Sequence, residues 1–308
     1  MLETPSGGTE SIHVINPLHA DPYQPRIERI YDDPPEMWQD IIGPELWFQF
    51  GIYDARATQP EPLDDVGRRH LARQLELAAD SLGPVRDVRN ILEIGFGWGI
   101  SLVHLARSFP ACMRLDGINI SRPQAECASR RMHDHGLSDR VRLYLGSALD
   151  ADLLPHVPEG YDLVLARGVI THFSPAVTQA VLGTLASRMH PGATVVISEN
   201  LYNVPLQEYT SAIPDEEDRL ACGHRKTPQG LTEIMESSGL AVRDVRKLPS
   251  NEESIRWLAH IRGNIDRHFG PRPPAVMREL RKHAENWSIA LRKDHVSVYS
   301  IIAQRGEA

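Results

Sequence analysis

Apolar and polar residues follow two different rhythms along this chain. Between Asp64 and Ser81 the apolar positions Val66, Leu71, Leu75, Leu77 and Ala78 recur at helical spacing, and Gly83-Pro84 ends the run. The short apolar stretch Ile91–Ile94 then predicts a strand, followed by a glycine-rich turn and a helix over Ile100–Ser108. The alternation continues with a strand near Met113–Ile120, a helix over Pro123–His135 and strands at Val141–Leu145 and Leu163–Ala166. A helix over Ala176–Met189 and a strand at Ala193–Glu199 complete it. Strands alternating with helices predict βαβ units and a mostly parallel sheet covered on both faces. After Glu199 the rhythm breaks: residues 201–226 are polar and irregular. A helix at Gln229–Ser238, a strand at Ala241–Lys247, a helical insertion over Glu252–Arg292 and a last strand at Val296–Ala303 follow.

The N-terminal stretch is different. Pro5, Pro17, Pro22, Pro25, Pro34 and Pro35 exclude a regular helix or a central strand, so residues 1 to about 35 read as an arm. The arm also carries Ile12, Val14, Ile15 and Ile27, which is too apolar for a purely solvated tail. It is expected to lie on a surface and, exchanged between subunits, to support a homo-oligomer. From Glu36 to Asp54 an aromatic pattern, including Trp38, Trp47, Phe48 and Phe50, predicts short helices. The expected division is a cover over residues 1–60 and a main domain over residues 61–308, with lids at about 201–226 and 249–293.

Composition narrows the function. The chain has 308 residues, enough for one sizeable α/β domain with decorations. Its net charge of −8 gives phosphates nothing to bind, which argues against nucleic acid as a partner. No apolar run approaches the roughly 20 residues that span a bilayer, so no membrane association is expected. Met1–Glu10 lacks a basic region followed by an apolar stretch, so no signal peptide and a cytoplasmic location are expected. Cys112, Cys127 and Cys222 form no C-x-x-C pair and read as reduced thiols; no metal site is expected. Arg greatly outnumbers Lys, a bias that suggests a GC-rich bacterial source.

The strongest chemical signal is Ile91-Leu92-Glu93-Ile94-Gly95-Phe96-Gly97-Trp98-Gly99. An apolar strand runs into three glycines and then a helix. Such a turn lets a ligand approach the main chain, and the helix start offers unpaired N–H groups to it. The spacing is G-x-G-x-G with Glu93 two residues before the first glycine, and Ile100 takes the place of the third glycine of a dinucleotide fingerprint.

This pattern resembles the first motif of class I S-adenosylmethionine-dependent methyltransferases. The stretch Gly117-Ile118-Asn119-Ile120-Ser121-Arg122-Pro123-Gln124 is similar to a narrower branch, the cyclopropane fatty acid synthases and mycolic acid methyltransferases. The resemblance runs from about Tyr31 to Glu199. It implies a Rossmann-like α/β fold with a seven-stranded, mostly parallel sheet, its last strand antiparallel, under an N-terminal helical cover and lid insertions. It implies S-adenosyl-L-methionine as cofactor. Gly95, Gly97 and Gly99 would wrap its methionine end beside Glu93, and Asn119 and Gln124 would bind the ribose hydroxyls. Ser147 and Ala148 would border the adenine, while Tyr31 and Phe48 of the cover and Arg167 after the next strand would complete the site. Asn119 stands where most of the family has an acid, but an amide both donates and accepts. Asp116 lies too early in its strand to take that role.

The segment Tyr161–Phe173 resembles the family's fourth-strand motif, where methyl group and acceptor meet. In the cyclopropane synthase branch the matching positions end in Glu-His, and together with an upstream Cys they hold a bicarbonate base. Here Thr171 precedes His172, and Phe50 takes the place of the Cys, which argues against cyclopropanation. His172 is the leading candidate base, with Glu199 and Tyr202 bordering the same cleft; His172 could equally be a structural residue of the loop. The expected activity is methyl transfer to a small, hydrophobic metabolite, as in natural-product biosynthesis, with O, N and C acceptors all open. The alternatives are a cofactor-binding scaffold or cyclase that transfers no methyl group, and an NAD-dependent oxidoreductase, disfavoured by Ile100 and Asn119.

Overall fold

The apolar runs become strands of one sheet in a computed structural model, which describes residues 12–16, 25, 34–82, 87–211 and 224–306. The sheet is built on β1 (Ile12–Val14), β2 (Asn90–Ile94), β3 (Arg114–Asn119), β4 (Val141–Leu145) and β5 (Tyr161–Arg167). It is completed by β6 (Met189–Tyr202), β7 (Leu240–Lys247) and β8 (Val296–Arg305). Their order is β1-β4-β3-β2-β5-β6-β8-β7. The pairs from β1 through β6 are parallel, and β8 runs antiparallel between β6 and β7, as expected of the last strand.

The sheet has eight strands rather than seven, and the extra one lies in the arm that was expected to hold no strand. Ile12–Val14 falls in the proline-free window between Pro5 and Pro17 and joins the sheet only at its edge, where one hydrogen-bonded side suffices. The Ile15 amide donates to the Leu145 carbonyl at 2.9 Å, and Ile12 and Ile15 are buried. This part of the arm lies at the β4 edge, while the rest falls outside the described residues.

Consecutive strand residues enter opposite cores because a strand's side chains alternate. Leu92, Ile94, Val164 and Ile197 pack on one face with α5 (Pro175–Arg188) and α6 (Pro228–Ser237). Ile91, Leu163, Leu165 and Val196 pack on the other with α2 (Leu63–Leu82), α3 (Ile100–Ser108) and α4 (Arg122–Asp134). The helix starts are written locally. Ser121, Ser174 and Thr227 each accept a hydrogen bond from a backbone N–H in the first turn, and each precedes a helix with Pro in its first two positions.

A third core lies above the carboxyl edge of the sheet, between α1 (Pro35–Ile42), α7 (Asn251–Phe269) and α8 (Ala275–Arg292). The segment after α1 is irregular where further short helices were expected. Gly43-Pro44 stops the helix, since a residue before proline avoids the helical region. The chain is instead pinned by Asp64, whose carboxylate accepts from the amides of Glu45 at 3.0 Å and Trp47 at 3.4 Å. The expected insertion over Glu252–Arg292 is a helical hairpin broken at Gly270-Pro271.

Candidate active site

The carboxyl ends of β2, β3, β4 and β5 open onto a cleft of about 1080 Å³, the solvent at its mouth included. The glycine turn forms its floor. Gly95, Gly97 and Gly99 have φ of +71°, +54° and +83°, the left-handed region that glycine enters without strain. Their roles differ. A Cβ on Gly97 would meet nothing within 4 Å and would project into open space. A Cβ on Gly95 would sit 2.3 Å from Val169 Cγ2, and one on Gly99 would sit 2.7 Å from Ala128 Cβ. Gly97 thus leaves room for a ligand, whereas Gly95 and Gly99 let the next loop and α4 pack against the turn.

Glu93 closes the inner end of the cleft. Its side chain is buried, its Oε2 has no hydrogen-bond partner, and burial pushes its pKa up to about 7 against the pull of a Ser101 hydrogen bond and the Arg167 charge. Arg167 is also buried; burial lowers its pKa to about 10, and its Nε donates to Gln74 Oε1 at 2.9 Å. An unfilled carboxylate oxygen beside a turn with room for backbone contact suits the ammonium of an amino acid. The residues therefore fit the methionine end of S-adenosylmethionine.

Asn119 and Gln124 face each other as a pair. Asn119 Nδ2 donates to Gln124 Oε1 at 2.9 Å, which leaves one acceptor and one donor, Asn119 Oδ1 and Gln124 Nε2, for a diol. Asp116, as expected, lies outside the cleft; it accepts from Tyr161 Oη at 2.6 Å and Arg114 Nε at 2.7 Å. Ser147 and Ala148 line the far end, where the Ser147 hydroxyl caps the next turn by accepting from the Leu149 amide. Phe48 and Trp98 cover the opening with ring centroids 6.1 Å apart. Tyr31 lies outside the described residues.

A second cavity of about 790 Å³ adjoins the first, sharing Phe48, Gln49, Gly168 and His172 with it. Its walls come from Phe50, from β6 at Ser198–Asn200, and from Trp257 and Trp287 of the helical hairpin. His172 lies on a single turn over Ile170–His172 after β5. Two buried residues clamp that turn. Glu199 Oε1 accepts from the amides of Val169 at 2.7 Å and Ile170 at 2.6 Å, while Lys226 Nζ donates to the carbonyls of Ile170 at 2.9 Å and Phe173 at 2.5 Å. Burial pushes the Glu199 pKa up to about 7, against the pull of those amide bonds. Tyr202 corrects an expectation. It lines neither cavity, because beyond Ser198 β6 outruns β5 and continues paired with β8 alone, and its ring packs against Tyr209 at 4.7 Å.

Residues 91–192 match a family described as a methyltransferase domain. Cyclopropane synthase MmaA2 from Mycobacterium tuberculosis superposes with a TM-score of 0.76 at 14% identity, covering 92% of this chain and 98% of that one. Residues 91–192 are a methyltransferase domain, in a chain that shares the fold of these enzymes. The geranyl diphosphate C-methyltransferase from Streptomyces coelicolor A3(2), solved with S-adenosyl-L-homocysteine, gives a TM-score of 0.68 at 17% identity over 94% of this chain and 100% of that one. The ajmaline N-methyltransferase of Rauvolfia serpentina is 26% identical over 201 residues, 63% of this chain and 64% of that enzyme.

Phe50 and Thr171, the positions that the resemblance sets against the Cys and Glu of the cyclopropane synthase branch, both line the second cavity. Sequence reasoning missed Gln49, Trp257, Trp287 and Lys226 as site residues. The tryptophans sit on amphipathic helices where any apolar residue satisfies the pattern, and nothing local marks them as cavity walls.

The glycine roles separate by substitution. Gly97→Ala adds a methyl group in the open cleft, with left-handed backbone strain of about 1–2 kcal/mol. It is expected to weaken S-adenosylhomocysteine binding at least ~10-fold by calorimetry while the protein stays folded. Gly99→Ala drives a Cβ into Ala128 and is expected to lower the melting temperature more than Gly97→Ala does; the reverse order would refute the assignment. Glu93→Gln removes the charge facing the methionine ammonium. A charged hydrogen bond contributes about 1.5–3 kcal/mol, so the affinity is expected to fall about 10–100-fold.

Proposed function

We propose that this chain transfers the methyl group of S-adenosylmethionine to a small, hydrophobic metabolite, with His172 as the base. The observation that carries this reading is the position of His172, shared by a cofactor-sized cleft and an aromatic cavity. When bound, S-adenosylmethionine supplies an already activated methyl group. The chain must then align the acceptor, exclude water and take up any proton released. Glu93, Gly97, Asn119 and Gln124 orient the cofactor, with Ser147, Ala148, Phe48 and Arg167 enclosing it. The hydrogen bonds from Glu199 and Lys226 to the Ile170–His172 turn hold the imidazole at the junction.

The names of the ajmaline and geranyl diphosphate enzymes support a small metabolite, and natural-product biosynthesis fits an apolar acceptor. The net charge of −8 supports a partner other than nucleic acid. No helix among the described residues is long and apolar enough to cross a membrane, which fits the proposed cytoplasmic location. Ile12 and Ile15 are buried against the chain's own sheet, so the proposed homo-oligomer rests on the arm's other apolar positions, such as Ile27. Light scattering of the full chain against one starting at Glu28 should show a loss of mass, and equal subunit numbers would refute an arm-mediated assembly.

The activity is read by following an isotopically labelled methyl group from S-adenosylmethionine into small-molecule products. Label that stays on the cofactor across a panel of hydroxyl, amine and activated-carbon acceptors counts against methyl transfer. With an accepted substrate, His172→Ala is expected to lower turnover by roughly 10²–10⁴-fold with S-adenosylhomocysteine affinity unchanged. Unchanged turnover would leave His172 a structural residue of its loop.

A further inference from the structure

The second cavity combines two features that together select a ligand class. The first is its aromatic wall. Phe48 and Phe50 face Trp257 with ring centroids 5.9 Å and 5.0 Å away, and Phe50 stacks on Trp287 at 6.3 Å with planes 26° apart. All four rings line the cavity. Aromatic walls attract neutral apolar groups through burial and cations through the negative faces of the rings, most strongly where water is excluded.

The second feature decides between these ligands. Glu199 is 2% exposed and lines the same cavity, and its Oε1 is occupied by the Val169 and Ile170 amides. Its Oε2 is buried without a hydrogen-bond partner. The next residue, Asn200, also lines the cavity and buries its Oδ1 without a donor. A neutral hydrocarbon would leave both acceptors unsatisfied, at a cost that native interiors avoid. A nitrogen carrying hydrogen or positive charge would satisfy them and would lie against the aromatic faces.

We propose that the acceptor of this site is an amine on an apolar scaffold, bound with its nitrogen between Glu199 and the aromatic wall. This rests on the methyl-transfer reading above and names its substrate class. In the reaction of a secondary amine, the nitrogen lone pair forms the new N–CH3 bond, and the breaking C–S bond leaves its electron pair on sulfur as the thioether. The N–H proton passes to the imidazole of His172, which lines both cavities, so the neutral methylated amine, the thioether and an imidazolium balance the step.

The test uses the full chain saturated with S-adenosylhomocysteine and a matched pair of probes. Benzyltrimethylammonium and its neutral carbon counterpart neopentylbenzene have the same shape and differ in charge. Titration followed by tryptophan fluorescence is expected to show the cation binding at least ~10-fold tighter. Glu199→Gln keeps an oxygen for the two amides and is expected to remove most of that preference while neopentylbenzene affinity holds. If that variant does not fold, Phe50→Leu reads the aromatic share of the same preference. Equal or tighter binding of neopentylbenzene, or a preference untouched in the folded variant, overturns the proposal. Failure of the wild-type protein to bind S-adenosylhomocysteine would instead overturn the methyl-transfer reading, so the two failures are distinct.

Discussion

Parallel pairing of β2 with β3 on one side and β5 on the other puts the reversal of strand order at the end of β2. From there the chain leaves toward β3, while β5 returns on the opposite flank, so the loops diverge and a crevice must open between them. The glycine turn at 95–99 exists to get the backbone out of that crevice tightly enough to leave it empty. Every other part of the site is placed relative to it. Asn119 ends the strand on one flank, Arg167 and the His172 turn end the strand on the other, and the cover and helical hairpin close the top.

Two buried carboxylates mark the two halves of this crevice, Glu93 in the cleft and Glu199 in the neighbouring cavity. Both have pKa values raised from 4.5 to about 7, chiefly by burial. A carboxyl whose folded pKa exceeds its unfolded one favours folding less as pH rises from about 4.5 to about 7. Residues with that effect persist where a ligand compensates, and an oxygen without a partner on each is where a cation would do so. Glu199 has a second duty. Its amide-bound oxygen and the Lys226 ammonium fix the turn that carries His172, so the proposed base and the wall of the second cavity are held by one buried network.

Much of this was legible in the residue order. Helix α3 and strand β4 occupy the spans their apolar periodicity predicts, and Ser121, Ser174 and Thr227 announce their helices by local capping. Gly97, Asn119, Gln124 and His172 were identifiable because each belongs to a short segment whose spacing carries its meaning. The reading failed where meaning depends on partners far away. Proline density hid the edge strand at Ile12–Val14, which needs only the neighbouring β4 to form. Tyr202 follows Glu199 by three residues, yet it leaves the cavity because β6 continues past the end of β5, paired with β8.

Sequence alone determined the sheet with its parallel rhythm, the turn that leaves room for a ligand at its edge, and most of the residues that line the cleft there. These follow from contacts within a strand, turn and helix of adjacent residues, so local order fixes them. The second cavity was decided only by tertiary structure. Its wall joins Phe50, Glu199, Trp257 and Trp287, which come from four separate elements. Their apolar or acidic character is compatible with an ordinary core or surface until packing brings them together. Burial then removes water from the Glu199 carboxylate and turns a residue that could have been a solvated strand end into the polar focus of an aromatic pocket.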